Sequence, residues 1–209
     1  MDIRYHGDLK DVVLIEVGDH GDIDKKINII KEMTDRSFSY VSVKVDDWNE
    51  ELSPWKADPV FGKEGFGDGA LRTLETLKEE VSDKLRDNTL ILGGYSLAGL
   101  FALYGAYECD MFKGVVAASP SVWFPGFLDH VKDRKINAEA VYLSLGNKEE
   151  KTRNPVLNTV GDCIRELNEM YLNDERLQCV LEWNEGNHFK DHELRMAKGF
   201  AWMLNVLKR

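Results

Sequence analysis

Cysteine is scarce in this chain of 209 residues: Cys109, Cys163 and Cys179 are the only three, and no two form a C-x-x-C pair. So few, unevenly placed, argue against a disulfide framework and a cysteine-built zinc site, and predict free thiols, buried or half-buried, in a reducing compartment. Only five residues are proline, and there are no low-complexity tracts, internal repeats or linker-like stretches. One folded domain spanning residues 1–209 is therefore expected. The opening residues MDIRYHGDLKD hold neither an apolar signal core nor a transit-peptide composition, which points to the cytoplasm. Basic excess is missing too. The net charge of −10, spread along the chain, speaks against nucleic acid or an anionic membrane surface as a partner, and leaves oligomeric state open.

Strand-like and helix-like runs alternate along what is present. DVVLIEVG (11–18) is a β-branched run ending in glycine, as a buried strand would be, and residues 22–34 place Ile23, Ile27, Ile30 and Met33 at helical spacing behind Asp22 as N-cap. SFSYVSVKV (37–45) reads as the next strand. Residues 46–69 form a long irregular segment with Trp48, Trp55 and Phe66, and loops of such length are usually functional. Helical spacing resumes over 70–85, with Leu71, Leu74, Leu77, Val81 and Leu85 on one face. Strands are then expected at 89–92, 114–119, 139–146 and 176–183. Helices are expected at 97–107, near 127–133, from Pro155 to about Tyr171, and over 192–208. The alternation predicts an α/β fold with a mostly parallel sheet of about six strands and helices on both faces.

Residues 89–107 carry no charge and are almost long enough to cross a bilayer. The Gly93-Gly94 pair a few residues in favours a short central strand over the first turn of a membrane helix. Between strand and helix stands Gly94-Tyr95-Ser96-Leu97-Ala98-Gly99, a G-x-S-x-G elbow with alanine in its last position. A serine in so sharp a turn needs small residues two places to either side, and Gly94 and Ala98 meet that need. The turn would lift the Ser96 hydroxyl above the sheet edge and aim the first N–H groups of the helix at the same point.

A serine hydroxyl needs a base within hydrogen-bond reach, and the base needs an orienting acid. Two loops at the carboxyl ends of later strands supply them in the order such a site requires. After 139–146 come Glu149 and Glu150. Glu149, three residues beyond Gly146, is the preferred acid and Glu150 the alternative. After 176–183 comes Gly186-Asn187-His188, with His188 as the base. His192 belongs to the last helix and is expected to point along it. The His188/His192 spacing suits a metal, but HFKDH lacks the glutamate of a zincin, so no metal and no cofactor are expected. Oxyanion donors are the N–H of Leu97 and one from the loop after the first strand, from Asp19 or His20. Tyr95, Trp48, Trp55 and Trp123, with Phe66 and Phe124 nearby in sequence, are candidates for the substrate cleft. Trp183 and Trp202 are expected in the core.

With these loops in place the chain resembles the α/β-hydrolase superfamily. Within it the chain is similar to the esterases that include S-formylglutathione hydrolase (esterase D) and bacterial siderophore esterases. The resemblance rests on GGYSLAGLFALYGAY, FKGVVAASPSVWF, LSLGNKEEKTRN and GNHFKD, between residues 90 and 192. It implies an α/β-hydrolase fold; the sequence has no insertion long enough for a lid domain, and it departs from the family in that some ten residues precede the first core strand, so that the usual first hairpin is expected to be missing or much reduced. The sequence departs from the family pattern at the acid, with Glu149 where aspartate is usual; some siderophore esterases dispense with the acid. The function so implied is a carboxylesterase-type serine hydrolase acting on a small-molecule ester or thioester through an acyl-enzyme on Ser96. An acyltransferase on the same three residues and a non-catalytic binding protein on the same fold are the rival readings.

Overall fold

The computed structural model describes residues 1–19 and 21–207. Its strands are β1 (Asp2–His6), β2 (Val12–Gly18), β3 (Ser39–Lys44), β4 (Thr89–Tyr95), β5 (Phe112–Ala118), β6 (Ala140–Gly146) and β7 (Gln178–Asn184). The helices are α1 (Ile23–Met33), α2 (Trp48–Leu52), α3 (Ala70–Ser82), α4 (Leu97–Glu108), α5 (Phe127–Val131), α6 (Val160–Leu172) and α7 (His192–Val206). The strands form one seven-stranded sheet in the order β1-β3-β2-β4-β5-β6-β7. From β3 to β7 every neighbouring pair is parallel, and β1 closes one edge antiparallel to β3.

Alternation along the strands divides the core into two layers. Val13, Ile15 and Val17 face α3, α4 and α6, whereas Val12 and Leu14 face α1 and α7. Helix α4 lies in the heart of the first layer and is buried from Leu97 to Tyr107. A helix enclosed on every side has no place for a charge, which accounts for the uncharged run. Among the described residues no helix is long and apolar enough to cross a membrane. On the other face α7 packs closely because Gly93 offers no side chain: a Cβ there would lie 2.5 Å from Phe200 Cζ.

Several expectations are corrected in detail. The sheet has a seventh strand, β1, whose five residues DIRYH are too polar and too exposed to read as a core strand. A single edge strand thus stands where a missing or reduced hairpin was expected. Leu71 is 46% exposed, on the outer face of α3, and Met33 is exposed at the end of α1. Pro155 does not open the long helix: a 3₁₀ turn over Leu157–Thr159 precedes α6. The segment 46–69 is not wholly irregular, since Asp47 caps the short α2 by accepting from Glu50 N–H, and Ala57 bridges Phe66. Trp183 is 39% exposed, because β7 is an edge strand, and it packs under the Arg165 guanidinium at 4.9 Å. Trp202 is partly buried against Tyr142. Asp22 caps α1 as read, accepting from Lys25 N–H at 3.0 Å. All three cysteines are free, Cys109 buried and the other two half-buried.

The close seat of α7 gives a direct test. Gly93→Ala should destabilise the protein by about 1–3 kcal/mol in urea unfolding, as overpacking does. Adding Phe200→Leu should recover part of that loss, and full stability of the single variant would contradict the packing described.

Candidate active site

The chain leaves β2 toward β3 on one side and returns to β4 on the other, so the loops after β2 and β4 part at the middle of the sheet. Such a divergence opens a crevice at the strands' carboxyl ends. Ser96 stands there, between β4 and α4, with φ 58° and ψ −122°. A non-glycine residue in that region stores on the order of 1–3 kcal/mol of strain and needs firm support. Ser96 N–H donates to Ala118 O at 3.1 Å, and Ser121 N–H donates to Ser96 O at 3.0 Å. A Cβ on Gly94 would fall 2.3 Å from Ala98 O, so glycine alone fits there. Leu97 is the first residue of α4, where helix N–H groups lack intrahelical acceptors.

Two loops meet this serine. After β6, Glu149 turns back over Gly146: Glu149 N–H donates to Gly146 O at 3.0 Å, and Gly146 N–H donates to Glu149 Oε1 at 2.6 Å. After β7, Gly186 at φ 107° reverses the chain into Asn187 and His188, and Tyr95 Oη donates to His188 O at 2.8 Å. His188 Nδ1 lies 2.7 Å from Glu149 Oε2, and His188 Nε2 lies 3.0 Å from Ser96 Oγ. A carboxylate only accepts, so Nδ1 carries the hydrogen and Nε2 is free to accept from the serine hydroxyl. The two glutamates point in different directions. Glu150 turns outward to Arg165, at 2.8 Å, and does not reach the histidine. Burial pushes the Glu149 carboxyl up, but hydrogen bonds from His188, Ser119 and the Gly146 N–H outweigh it and hold it below the ordinary glutamate value.

Behind Glu149 lie two residues that no sequence motif pointed to. Arg195 of α7 is 1% exposed, and its Nη1 reaches Glu149 Oε1 at 2.8 Å, Ser119 Oγ at 2.9 Å and Tyr95 Oη at 3.1 Å. Ser119 has φ 44° and donates to Glu149 Oε1 at 2.7 Å. A sign of Arg195 was available. It sits beside Met196 and one turn before Gly199, on the face of the last helix that the spacing turns inward, where a charge needs a reason. Ser119 lies within AASPSVWF, a stretch singled out only as a likeness and for Trp123.

Two cavities open onto Ser96 and His188. The larger, about 650 Å³, is walled by Phe61, Trp123, Leu157, Val160 and Phe189, with Lys148 and Lys151 also lining it. The smaller, about 240 Å³, is lined by Asp19, Trp48, Tyr95, His192 and the buried pair Glu16–Lys26. Lys26 Nζ donates to Glu16 Oε1 at 2.6 Å, Tyr40 Oη donates to the other carboxylate oxygen, and burial raises the Glu16 carboxyl. Trp48, Tyr95 and Trp123 thus reach the cleft. Trp55 does not: its indole donates to Pro125 O at 2.8 Å and packs on Phe124 and His130. Phe66 and Phe124 are buried behind Trp123. His192 faces Tyr95 edge-on and lines the smaller cavity, contrary to the expectation that it points along its helix. His20 lies outside the described residues; Asp19, the other candidate from that loop, lines the smaller cavity. Among the described residues no group of three or more His, Cys, Asp and Glu is placed to hold a metal ion.

No family model matches the sequence, and no curated protein matches it. Solved structures do share its architecture. An IroE-like serine hydrolase from Shewanella oneidensis superposes with a TM-score of 0.76 at 17% identity, over 92% of this chain and 70% of that one. The siderophore hydrolase EstB from Aspergillus nidulans gives 0.69 at 18% identity, over 96% and 88%. This is the α/β-hydrolase fold. A third neighbour, XC6422 from Xanthomonas campestris, is described as an α/β serine hydrolase without a lid, with a TM-score of 0.59 at 14% identity over 98% and 86%.

The depressed Glu149 carboxyl makes stability depend on pH. Its folded value lies below the unfolded one, so its contribution is fully present above about pH 4.5 and is lost as pH falls through the folded value. Wild type should therefore exceed Glu149→Gln in Tm by more at pH 7 than at pH 3. A gap independent of pH would count against the ionised, hydrogen-bonded carboxylate.

Proposed function

We propose that this chain is a serine hydrolase cleaving a carboxylic ester or thioester. The observation that carries the reading is the unbroken line from Glu149 Oε2 through both nitrogens of His188 to Ser96 Oγ, at 2.7 and 3.0 Å. Ser96 Oγ attacks the carbonyl carbon while His188 Nε2 takes its proton. The imidazolium so formed is held by Glu149, and the oxyanion by the Leu97 N–H together with a second N–H from the β2–α1 loop, that of Asp19 or His20. His188 then protonates the leaving alcohol or thiol, and water, activated by the same histidine, releases the acid from Ser96.

The two cavities support a division of the substrate. The aromatic walls of the larger one suit a bulky apolar half, and the Glu16–Lys26 floor of the smaller suits a compact polar half. The siderophore hydrolase among the neighbours is in keeping with a small-molecule ester. The His188 side chain is 33% exposed, so water reaches the site, which favours hydrolysis over transfer to another alcohol.

Hydrolysis of p-nitrophenyl acetate should fall by a factor on the order of 10⁴ or more in Ser96→Ala, since members of such a unit fail together. A fluorophosphonate probe should label Ser96 in wild type and leave the variant unlabelled. Equal turnover by both proteins would remove Ser96 from the mechanism. For esters with a bulky aromatic half, Trp123→Ala should raise KM by roughly tenfold, the loss of about 1.4 kcal/mol of apolar contact. The same variant should change KM for the acetate of a small alcohol far less. Equal shifts for both would place the bulky half elsewhere.

A further inference from the structure

The Arg195 guanidinium ties together three pieces of chain that the proposed chemistry needs in register. Nη1 touches Glu149 of the acid loop, Ser119 after β5, and Tyr95 beside the nucleophile. Nη2 donates to Asn187 O at 2.9 Å and Glu185 O at 3.3 Å, both on the histidine loop. Tyr95 in turn donates to His188 O. The side chain is 1% exposed and its Nε has no hydrogen-bond partner. Burying a cation costs several kcal/mol, and an apolar side chain of similar volume fills such a place as well or better. Packing is therefore a poor reason for an arginine here.

We propose, on the strength of the hydrolase reading, that Arg195 is a positioning residue that tunes His188 through Glu149. It occupies Oε1, which leaves Oε2 as the oxygen that faces the imidazole, and it fixes the carbonyls that flank His188. Its positive charge also offsets part of the carboxylate's negative field at the ring. Glu149 thus orients the histidine firmly while stabilising the imidazolium only in part.

Other charged and titratable groups surround the ring, and none substitutes for this pair. His192 and Glu193 of α7 pair with each other at 3.3 Å, and Lys190 of the histidine loop pairs with Glu185 at 3.3 Å. From the β2–α1 side come Asp19 and the internally paired Glu16–Lys26, and from the acid loop the exposed Lys148. Tyr95 of β4 bonds the His188 carbonyl, not the ring nitrogens. Among the described residues Glu149 is the one carboxylate within hydrogen-bond distance of the imidazole.

Charge and geometry separate in two variants assayed with p-nitrophenyl acetate, with active protein counted by end-point fluorophosphonate titration so that unfolded molecules do not enter. Arg195→Met removes both. Its kcat should fall by roughly tenfold or more while KM, which Arg195 does not touch, stays within about twofold. The acidic midpoint of its kcat/KM profile should move up by about half a pH unit or more, because the imidazolium loses an opposing charge. Arg195→Lys keeps the charge and loses the fork. Its kcat should drop while the midpoint stays where wild type has it, and it carries the test alone should the methionine variant not fold. A lysine variant with wild-type kcat, or one whose midpoint shifts, overturns the proposal. So does a methionine variant that loses activity with an unmoved midpoint, the mark of a structural role alone. Wild type without any Ser96-dependent turnover would instead remove the hydrolase reading on which the proposal stands.

Discussion

The near-contact between the end of β4 and the first turn of α4 is the constraint on which everything else depends. With no side chain on Gly94, the strand and the helix carbonyl at Ala98 come together, and Ser96 is forced to φ 58° at the apex. Wider spacing would relax the turn and lower the hydroxyl into the sheet. The strain is balanced by what surrounds it: a helix buried on all sides below, and backbone hydrogen bonds to Ala118 and Ser121 beside it. Rigidity at this point lets loops from two other strands be built to a fixed target.

Those loops are held by polar contacts rather than by apolar packing. Ser119, Arg195 and the Gly146 N–H surround Glu149, and Arg195 reaches on to Tyr95 and to the carbonyls of the histidine loop. A network of this kind is costly when incomplete and stiff when complete. The free Nε of Arg195 shows that it is not wholly complete. The site thus combines a backbone turn under strain with a charged cluster under cover, each supporting the other's geometry.

Much of this was legible in the residues. Gly94, Ser96 and Ala98 announced the turn because few residue types tolerate it, and Glu149 and His188 were found by their distance from strand-ending glycines. The parallel order of the core strands followed from their alternation with helices. What stayed hidden has a common cause. The strand β1 is polar because it lies at an edge, Leu71 and Trp183 face solvent although their spacing or composition suggested burial, and Trp55 is spent on a hydrogen bond to Pro125. Arg195 and Ser119 serve Glu149 from 46 and 30 residues away, and no local pattern records such a meeting. Glu149 and Glu150 differ in direction, which spacing only hinted at: the first faces His188 and the second Arg165.

The position of β7 at the rim of the sheet carries a consequence for how the molecule comes apart. An edge strand is held from one side only, and His188 hangs from the loop that follows it, whereas Ser96 issues from the best-supported strand. Segments with fewer neighbours open first under thermal or chemical stress. His188 would then drift from Ser96 while the inner strands were still paired, so that the contact between them is lost before the protein melts. In that order of events α7 acts as a brace, since its arginine fastens this margin of the sheet to its centre.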